Sequence, residues 1–483
     1  MELLFEKSVA GRRTHYLPEL DVPEAKALSA QYLREEKLDL PELSEIDVDR
    51  HYSELERRTY GVNNGVYMLG SCTMKYNPQL NEITSGLPGF TQAHPLAPEA
   101  HVQGSLEVFA KLESLLCDIT GMDEMTFQPA AGAHGELTGL MMIKAYHESR
   151  GETQRTKILI PNAAHGTNPA SMAMVGYELL PIPVDEDGFI KVDELRKITD
   201  DTVAGLMLTN PNTEGQFEKN ISEVSKIVHE AGGLNYYDGA NLNAIMGIVQ
   251  PGKMGFDVIH LNLHKTFSTP HGGGGPGACG VGVKDILKDF LPTPHVVERN
   301  GSFEWNTPEK SIGNIVAFHG NFLNLVRAMS YVLMLGRDGI KRSAQNAVLN
   351  ANYLRYHLKD TYTMSHDEIC MHEFVMSLKQ LKAETGVSAL DIAKGLLDYG
   401  VHPPTMYFPL TIPEALMVEP TETESRQTLD TIIKAFKELH DLSCSDPEKL
   451  HNAPYTTVVR RPDEVEAARN PILKYEKSNA VEE

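Results

Sequence analysis

The sequence predicts an α/β protein: a mainly parallel sheet covered by helices on both faces, preceded by an arm and followed by a smaller α+β domain. Two observations predict it. Across residues 96–340, short apolar runs alternate with helical patterns, as strands joined by crossover helices do. Polar or glycine residues stand at the carboxyl ends of those runs, where an open α/β sheet presents its ligand.

Residues 1–95 are rich in charge and proline and lack strand alternation, so an arm with short helices lying over another part of the molecule is expected. In the large domain, 96–340, strands are predicted at Met125–Phe127, Lys157–Ile160, Val203–Leu208, Leu234–Tyr237 and Val258–Leu263. Between them, Gly135–Glu148 and Ile221–Ala231 carry helical spacing. In residues 341–450 the helical patterns Ile340–Lys359, Ala389–Tyr399 and Arg426–Leu442 surround strand-like pieces such as Glu373–Leu378, hence a small α+β domain. Residues 451–483 read as an extended wrap with a frayed end.

A chain of 483 residues, 41% hydrophobic and 23% charged, can bury a large core divided among more than one domain. Its net charge of -22 argues against nucleic acid or an anionic membrane surface as the main partner. Any small anion must then be held by a local site. The five cysteines are scattered and form no CxxC pair, which fits a reducing compartment and excludes a cysteine-rich zinc module. No metal site is expected. With neither a basic-then-apolar leader nor a long apolar run, a cytoplasmic location is the expectation.

The stretch Asp257–Val283, DVIHLNLHKTFSTPHGGGGPGACGVGV, carries the most chemistry. An alternating apolar run ends at His264-Lys265, followed by small residues and four consecutive glycines. A lysine at the lip of a buried strand is badly solvated, which favours its neutral, nucleophilic form. Glycines beside it let a flat ligand approach the backbone closely. A Schiff-base lysine needs both conditions; a surface lysine before a loop needs neither.

Four other strand ends complement it. Gln128–Glu136, QPAAGAHGE, leaves a strand through small residues and enters a helix whose free amides, around Gly132, Ala133 and His134, suit a phosphate dianion. An ordinary connecting loop has the same composition. His165, in PNAAHGTNPAS, is either a polar loop residue or an imidazole stacked on a flat ring. Thr209-Asn210-Pro211-Asn212 either donates to a phenolic oxygen, with Asn210 the candidate, or caps a loop. Asp238, followed by Gly239 and Ala240, needs a cationic or donor partner if buried, and a helix N-cap is the alternative. A phosphate cup, a ring-stacking group, a carboxylate for a ring nitrogen and a lysine for an aldehyde together match pyridoxal 5'-phosphate.

At these same residues the chain resembles the glycine cleavage system P-protein family, the decarboxylating glycine dehydrogenases, and more closely subunit 2 of its two-subunit form. The resemblance covers nearly the whole chain. It includes the motifs Met68–Pro78, Gln128–Glu136, His165–Ser171, Tyr237–Asn241, Asn262–Phe267, Met371–Val375 and Glu419–Glu424. It implies a fold-type I pyridoxal-phosphate transferase architecture with a mainly parallel seven-stranded sheet. It implies Lys265 as the aldehyde-binding lysine, Asp238 on the pyridine nitrogen and His165 over the ring, with Ala240 and His264 among the cofactor contacts. By resemblance, His94 and Asn63 lie in segments flanking the cleft and are candidates for the glycine carboxylate. The activity implied is glycine decarboxylation with transfer of the aminomethyl group to the lipoyl arm of H-protein. Single-chain members are about twice as long, so the implied partner is glycine dehydrogenase subunit 1, in an α2β2 heterotetramer. Ala278-Cys279 departs from the pattern, and Cys279 is a candidate for oxidation. Two other readings use the same residues: a different pyridoxal-phosphate reaction, or a cofactor-free subunit that only completes its partner's site. The visible absorbance of bound cofactor separates the last from the others.

Overall fold

Seven strands form the central sheet of the computed structural model, which describes residues 2–12, 18–23, 26, 28–36, 38–94, 97–161, 166–185, 188–272, 275 and 277–475. They are β1 (Glu124–Thr126), β2 (Lys157–Pro161), β3 (Glu178–Ile182), β4 (Val203–Thr209), β5 (Leu234–Gly239), β6 (Val258–Asn262) and β7 (Cys279–Val283). Their order across the sheet is β1-β7-β6-β5-β4-β2-β3. β7 alone runs antiparallel to its neighbours, and the pairs from β6 to β3 are parallel.

β4 reads as a near-continuous apolar run, and every residue of β5 is buried, because helices cover both faces of the sheet there. Alternate side chains divide between two cores. Leu206, Leu208, Tyr237, Ile259 and Leu261 join one core with helices Gln103–Thr120 and Ile221–Glu230. Met207, Tyr236 and Val258 join the other with helix Gly132–Ser149. The five predicted strands are present, and β6 gives way at Leu263 to the helical turn Leu263–Thr266. β3 escaped the pattern because it lies at the sheet edge with four of its five side chains outside the core. β7, Cys-Gly-Val-Gly-Val, was masked by the adjoining glycines.

Residues 62–456 cluster into one unit. Within it, helix Phe322–Leu358 turns through a non-helical Gly336 (φ 60°) and feeds Leu325 and Val326 to one core and Ala351, Leu354 and Leu358 to another. That other core backs an antiparallel sheet in the order Thr363–Met364, Phe374–Ser377, Ala415–Val418, Thr405–Met406. Val66–Tyr67 pairs in parallel with Val401–His402, and Met68, Thr73 and Lys75 just beyond it are buried.

Met1–Gly61 and Thr457–Glu483 cluster as a second unit. Its helix Glu45–Arg58 starts where the Ser44 N–H donates to Asp47 Oδ2 at 3.2 Å, and Phe5 stacks on Tyr475 with ring centroids 4.6 Å apart. Among the described residues, no helix is long and apolar enough to cross a membrane.

Candidate active site

Parallel register decides what meets at the sheet's carboxyl edge. Thr209 at the end of β4 is level with Asp238 on β5, and Asp238 is level with His260 on β6. Residues paired across strands project to the same face, so the three side chains stand in a row about 4.8 Å apart. That face is the one helix Gly132–Ser149 covers. Its Gly135 packs so closely that an added Cβ would stand 2.6 Å from Cys279 Sγ and 3.1 Å from His260 Cβ.

A cavity of about 300 Å³ opens along this row. Lys265, Asp238, Gly132, Ala133, Ala240 and His264 all line it, as do Thr209, Asn262, His372 and Glu373. The helix start is cut for an anion. Its N-cap, Ala131, has no side chain able to cap, so the first-turn amides are left to a ligand. A Cβ on Gly132 would lie 2.6 Å from Asn262 Oδ1, so only glycine leaves the cradle open.

Asp238 is 4% exposed and held from several sides. Its Oδ1 accepts the Ala240 N–H at 3.1 Å and lies 3.2 Å from His260 Nε2; His260 Nδ1 is 2.8 Å from the Tyr236 hydroxyl. With its amide nitrogen turned toward the carboxylates, Asn168 donates to Asp238 Oδ2 and to Glu136 Oε1, each at 3.2 Å. Burial, and then the Asp238 charge, push Glu136 up to about 7, although the Thr167 and Ser171 hydroxyls donate to it at 2.7 and 2.9 Å. His264 is lowered to about 4 by burial and by the Lys265 charge, so its imidazole is neutral.

Three contacts fix the turn that carries Lys265. The Leu242 N–H donates to Thr266 Oγ1 (2.8 Å), Lys75 Nζ to the Thr266 carbonyl (2.6 Å) and Asn81 Nδ2 to the Ser268 carbonyl (3.0 Å). Lys75 is buried, paired with Glu422 at 2.6 Å; burial works against its charge, but Glu422 and the Tyr331 hydroxyl together raise it to about 12.

Not every predicted residue reaches the cavity. His165 lies outside the described residues. Asn210 stands behind the wall: its Oδ1 accepts the Glu218 N–H at 2.9 Å and its carbonyl accepts the Tyr237 hydroxyl, while Thr209 presents to the cavity. His134 turns back, its Nδ1 accepting the Ala130 N–H at 3.3 Å. His94 lines a separate cavity of about 630 Å³ with Phe90, Trp305 and Arg327, and Asn63 is exposed on a turn. Neither belongs to the Lys265 cavity, because the segments carrying them run elsewhere on the surface. Cys279 is fully buried under Gly135, and burial raises its thiol, which keeps it protonated and inert.

Glu136, His260, Lys75 and His372 have no role in the sequence reading. His260 had one signal, a lone imidazole inside an otherwise apolar strand. Lys75 and His372 stood in quoted motifs, but nothing in their spacing announced burial.

The cavity also carries groups that await a ligand. Among the described residues, Thr209 Oγ1, Asn262 Oδ1 and both ring nitrogens of His372 are buried without a hydrogen-bond partner. Buried polar atoms are normally satisfied, so the wall is suited to a polar guest that supplies the missing partners.

Comparison with known proteins agrees with this architecture. A family model described as glycine cleavage system P-protein matches residues 51–297, and one described as the glycine dehydrogenase C-terminal domain matches 343–451. The chain is 57% identical over 476 residues to a probable glycine dehydrogenase (decarboxylating) subunit 2 of Treponema denticola, covering 98% of each. It is 53% identical over 472 residues to the Thermotoga maritima protein of the same description, covering 98% of this chain and 99% of that one. Among solved structures it is similar to an inhibitor-bound glycine decarboxylase (P-protein), with a TM-score of 0.68 and 19% identity over 88% of this chain and 92% of that one. It is also similar to a Lactobacillus brevis glutamate decarboxylase, with a TM-score of 0.65 and 14% identity over 88% and 96%. The fold is therefore that of the fold-type I pyridoxal-phosphate enzymes.

Proposed function

Since the chain belongs to the glycine cleavage system P-protein family, with the glycine dehydrogenase (decarboxylating) subunit 2 members, we propose which of its residues carry glycine decarboxylation and how. The observation that carries the assignment is the single cavity joining Lys265, the Thr209–Asp238–His260 row and the uncapped start of helix Gly132–Ser149.

The residues fit pyridoxal 5'-phosphate. Bound there, it would supply an aldehyde for amines and a ring that spreads the electron pair left on the α-carbon when carbon dioxide departs. Lys265 would hold the group at its aldehyde carbon, the position that the glycine amine would also take. Asp238 holds a proton on the ring nitrogen, and His260 with Tyr236 fixes the carboxylate's orientation. The amides of Gly132, Ala133 and His134 hold the phosphate, with neutral His264 and Asn262 beside it. Thr209 takes the hydrogen bond to the ring hydroxyl that Asn210 was expected to make. His165 is proposed to cover the ring. Ala240 leaves room for its edge.

The acceptor of the aminomethyl group is proposed to be the lipoyl disulfide of H-protein, and the partner chain glycine dehydrogenase subunit 1, in an α2β2 assembly in the cytoplasm. That both relatives are known as subunit 2 of such an enzyme supports a partner subunit. Residues 1–95, 96–340, 341–450 and 451–483 are proposed as arm, cofactor domain, small domain and extension.

Borohydride reduction of the holoenzyme followed by peptide mapping tests the assignment. The pyridoxyl group is expected on the peptide containing Lys265, and Lys265→Ala is expected to abolish exchange of the glycine carboxyl with carbon dioxide. A pyridoxyl group on another lysine would overturn it.

A further inference from the structure

Two buried polar groups on the cavity wall have no part in the roles above. His372 is 3% exposed, lines the Lys265 cavity, and has no hydrogen-bond partner at either ring nitrogen. A buried imidazole left unsatisfied on both sides is costly, which points to a group that arrives with the substrates. Glu373 follows it on the same wall, with Oε1 3.7 Å from His372 Nε2 and Oε2 accepting the Ser71 N–H at 2.7 Å.

Glu373 and the adjacent Glu419 are not equivalent. Glu419 accepts from the Thr73 N–H (3.1 Å), Thr73 Oγ1 (2.7 Å), Asn241 Nδ2 (3.0 Å) and Asn243 Nδ2 (3.3 Å), so it is a satisfied acceptor that ties the 73 and 241 segments together. Glu373, by contrast, accepts the Ser71 N–H at 2.7 Å. Burial first, and then the Glu419 charge, raise the Glu373 pKa well above the usual carboxyl range, which favours its protonated form. Burial lowers His372, leaving a neutral ring with one N–H and one bare nitrogen, and both groups feel the Lys265 charge. The wall thus holds a carboxylic acid and a neutral imidazole in contact range, next to the lysine.

We propose that His372 and Glu373 deliver the proton consumed when the aminomethyl group passes to a cyclic disulfide. The proposal rests on the lipoyl-transfer reading above. In that step the electron pair left on the glycine α-carbon by loss of carbon dioxide forms a C–S bond to one sulfur. The S–S bond breaks, its pair stays on the second sulfur, and that sulfur takes up one proton to end as a thiol. The disulfide is reduced by the two electrons of the broken carbon–carboxyl bond. His372 gives its N–H proton to the leaving sulfur while its other nitrogen takes the Glu373 proton. Glu373 ends as a carboxylate and regains its proton from solvent. His372 is the catalytic residue of the pair, and Glu373 acts through it.

The test uses the assembled complex of this chain with its partner subunit, and lipoylated H-protein as acceptor. Three variants are compared with the parent: His372→Gln, Glu373→Gln and Glu373→Asp. The glycine concentration that half-saturates the change in cofactor absorbance is expected to stay within about twofold in all of them. Single-turnover aminomethyl transfer to the lipoyl group is expected to fall roughly 10²-fold or more in the first two. Glu373→Asp, which keeps an ionisable proton, is expected to recover much of the rate. Transfer at the parental rate in His372→Gln and Glu373→Gln would overturn the proposal. So would a matching loss of the glycine-induced absorbance change, which would mark a role in binding or folding. A parent complex that releases carbon dioxide from glycine yet leaves the lipoyl group unmodified would instead overturn the lipoyl-transfer reading, before any variant is made.

Discussion

A single carboxylate, Asp238, shows how the residues of this site depend on one another. Its orientation is set by the Ala240 amide at 3.1 Å and by His260 at 3.2 Å, and its charge is proposed to hold the proton on the cofactor's ring nitrogen. Asp238→Asn keeps the shape and loses the charge. Decarboxylation is expected to fall by roughly 10²-fold or more while cofactor is retained, as an absorbance spectrum and a carboxyl-exchange assay on one sample would show. An active Asn variant would remove this role. Gly132 offers an independent check. Any side chain there meets the Asn262 amide, so Gly132→Leu should weaken cofactor retention by at least about tenfold, read as cofactor lost through dialysis. Retention equal to the parent's would place the phosphate elsewhere. Lys265 and Asp238 were singled out because each follows an apolar run with a charge that is out of place there, and Gly132 because small residues lead into a helix start; all three line one cavity. His372 and Lys75 were not legible in the sequence. Burial of a polar group depends on which distant segment covers it, and spacing along the chain does not record that.

At the scale of elements, the sheet was legible where strands are buried on both faces, and illegible at the edge strand β3 and the glycine-rich β7. The turn carrying Lys265 was legible as the end of a strand, but the segment that braces it was not. Lys75, reaching from the 68–78 segment to the Thr266 carbonyl and to Glu422, replaces solvent as the partner of that turn. Lys75→Met strands a buried carboxylate and is expected to destabilise the protein by about 3–5 kcal/mol; adding Glu422→Leu should restore much of that. Denaturant midpoints of the two variants decide it, and a single variant as stable as the parent would show that the pair is dispensable. Helix Gln103–Thr120 carries a second buried acid. Glu113 accepts the Met125 N–H at 2.7 Å, and burial pushes it up to about 8. A raised folded-state pKa gives stability that is complete below the ordinary value near 4.5 and is lost as pH rises toward 8. The parent's thermal midpoint should therefore fall more between pH 5 and pH 8 than that of Glu113→Gln. Parallel pH curves would show that Glu113 ionises normally.

For the whole molecule, the prediction concerns what the chain does alone. The proposed acceptor is a disulfide on another protein and the proposed partner a second subunit, so the isolated chain is expected to be weakly active or inactive. Carboxyl exchange from glycine should appear on adding the partner subunit and rise further with lipoylated, but not unlipoylated, H-protein. Full activity from this chain by itself would overturn the subunit reading. The cavity wall also joins segments that are far apart in the chain: Ser71 and Glu373 are hydrogen-bonded across 302 positions, and Thr73 and Glu419 beside them across 346. Contacts of such long sequence separation form late, because loop closure must precede them. During synthesis the cofactor strands emerge well before the segments bearing His372, Glu373 and Glu419, so the pocket lacks that braced wall until those segments have left the ribosome. Stable cofactor retention is therefore expected only after residue 419 has emerged, and nascent chains truncated before it should not retain cofactor.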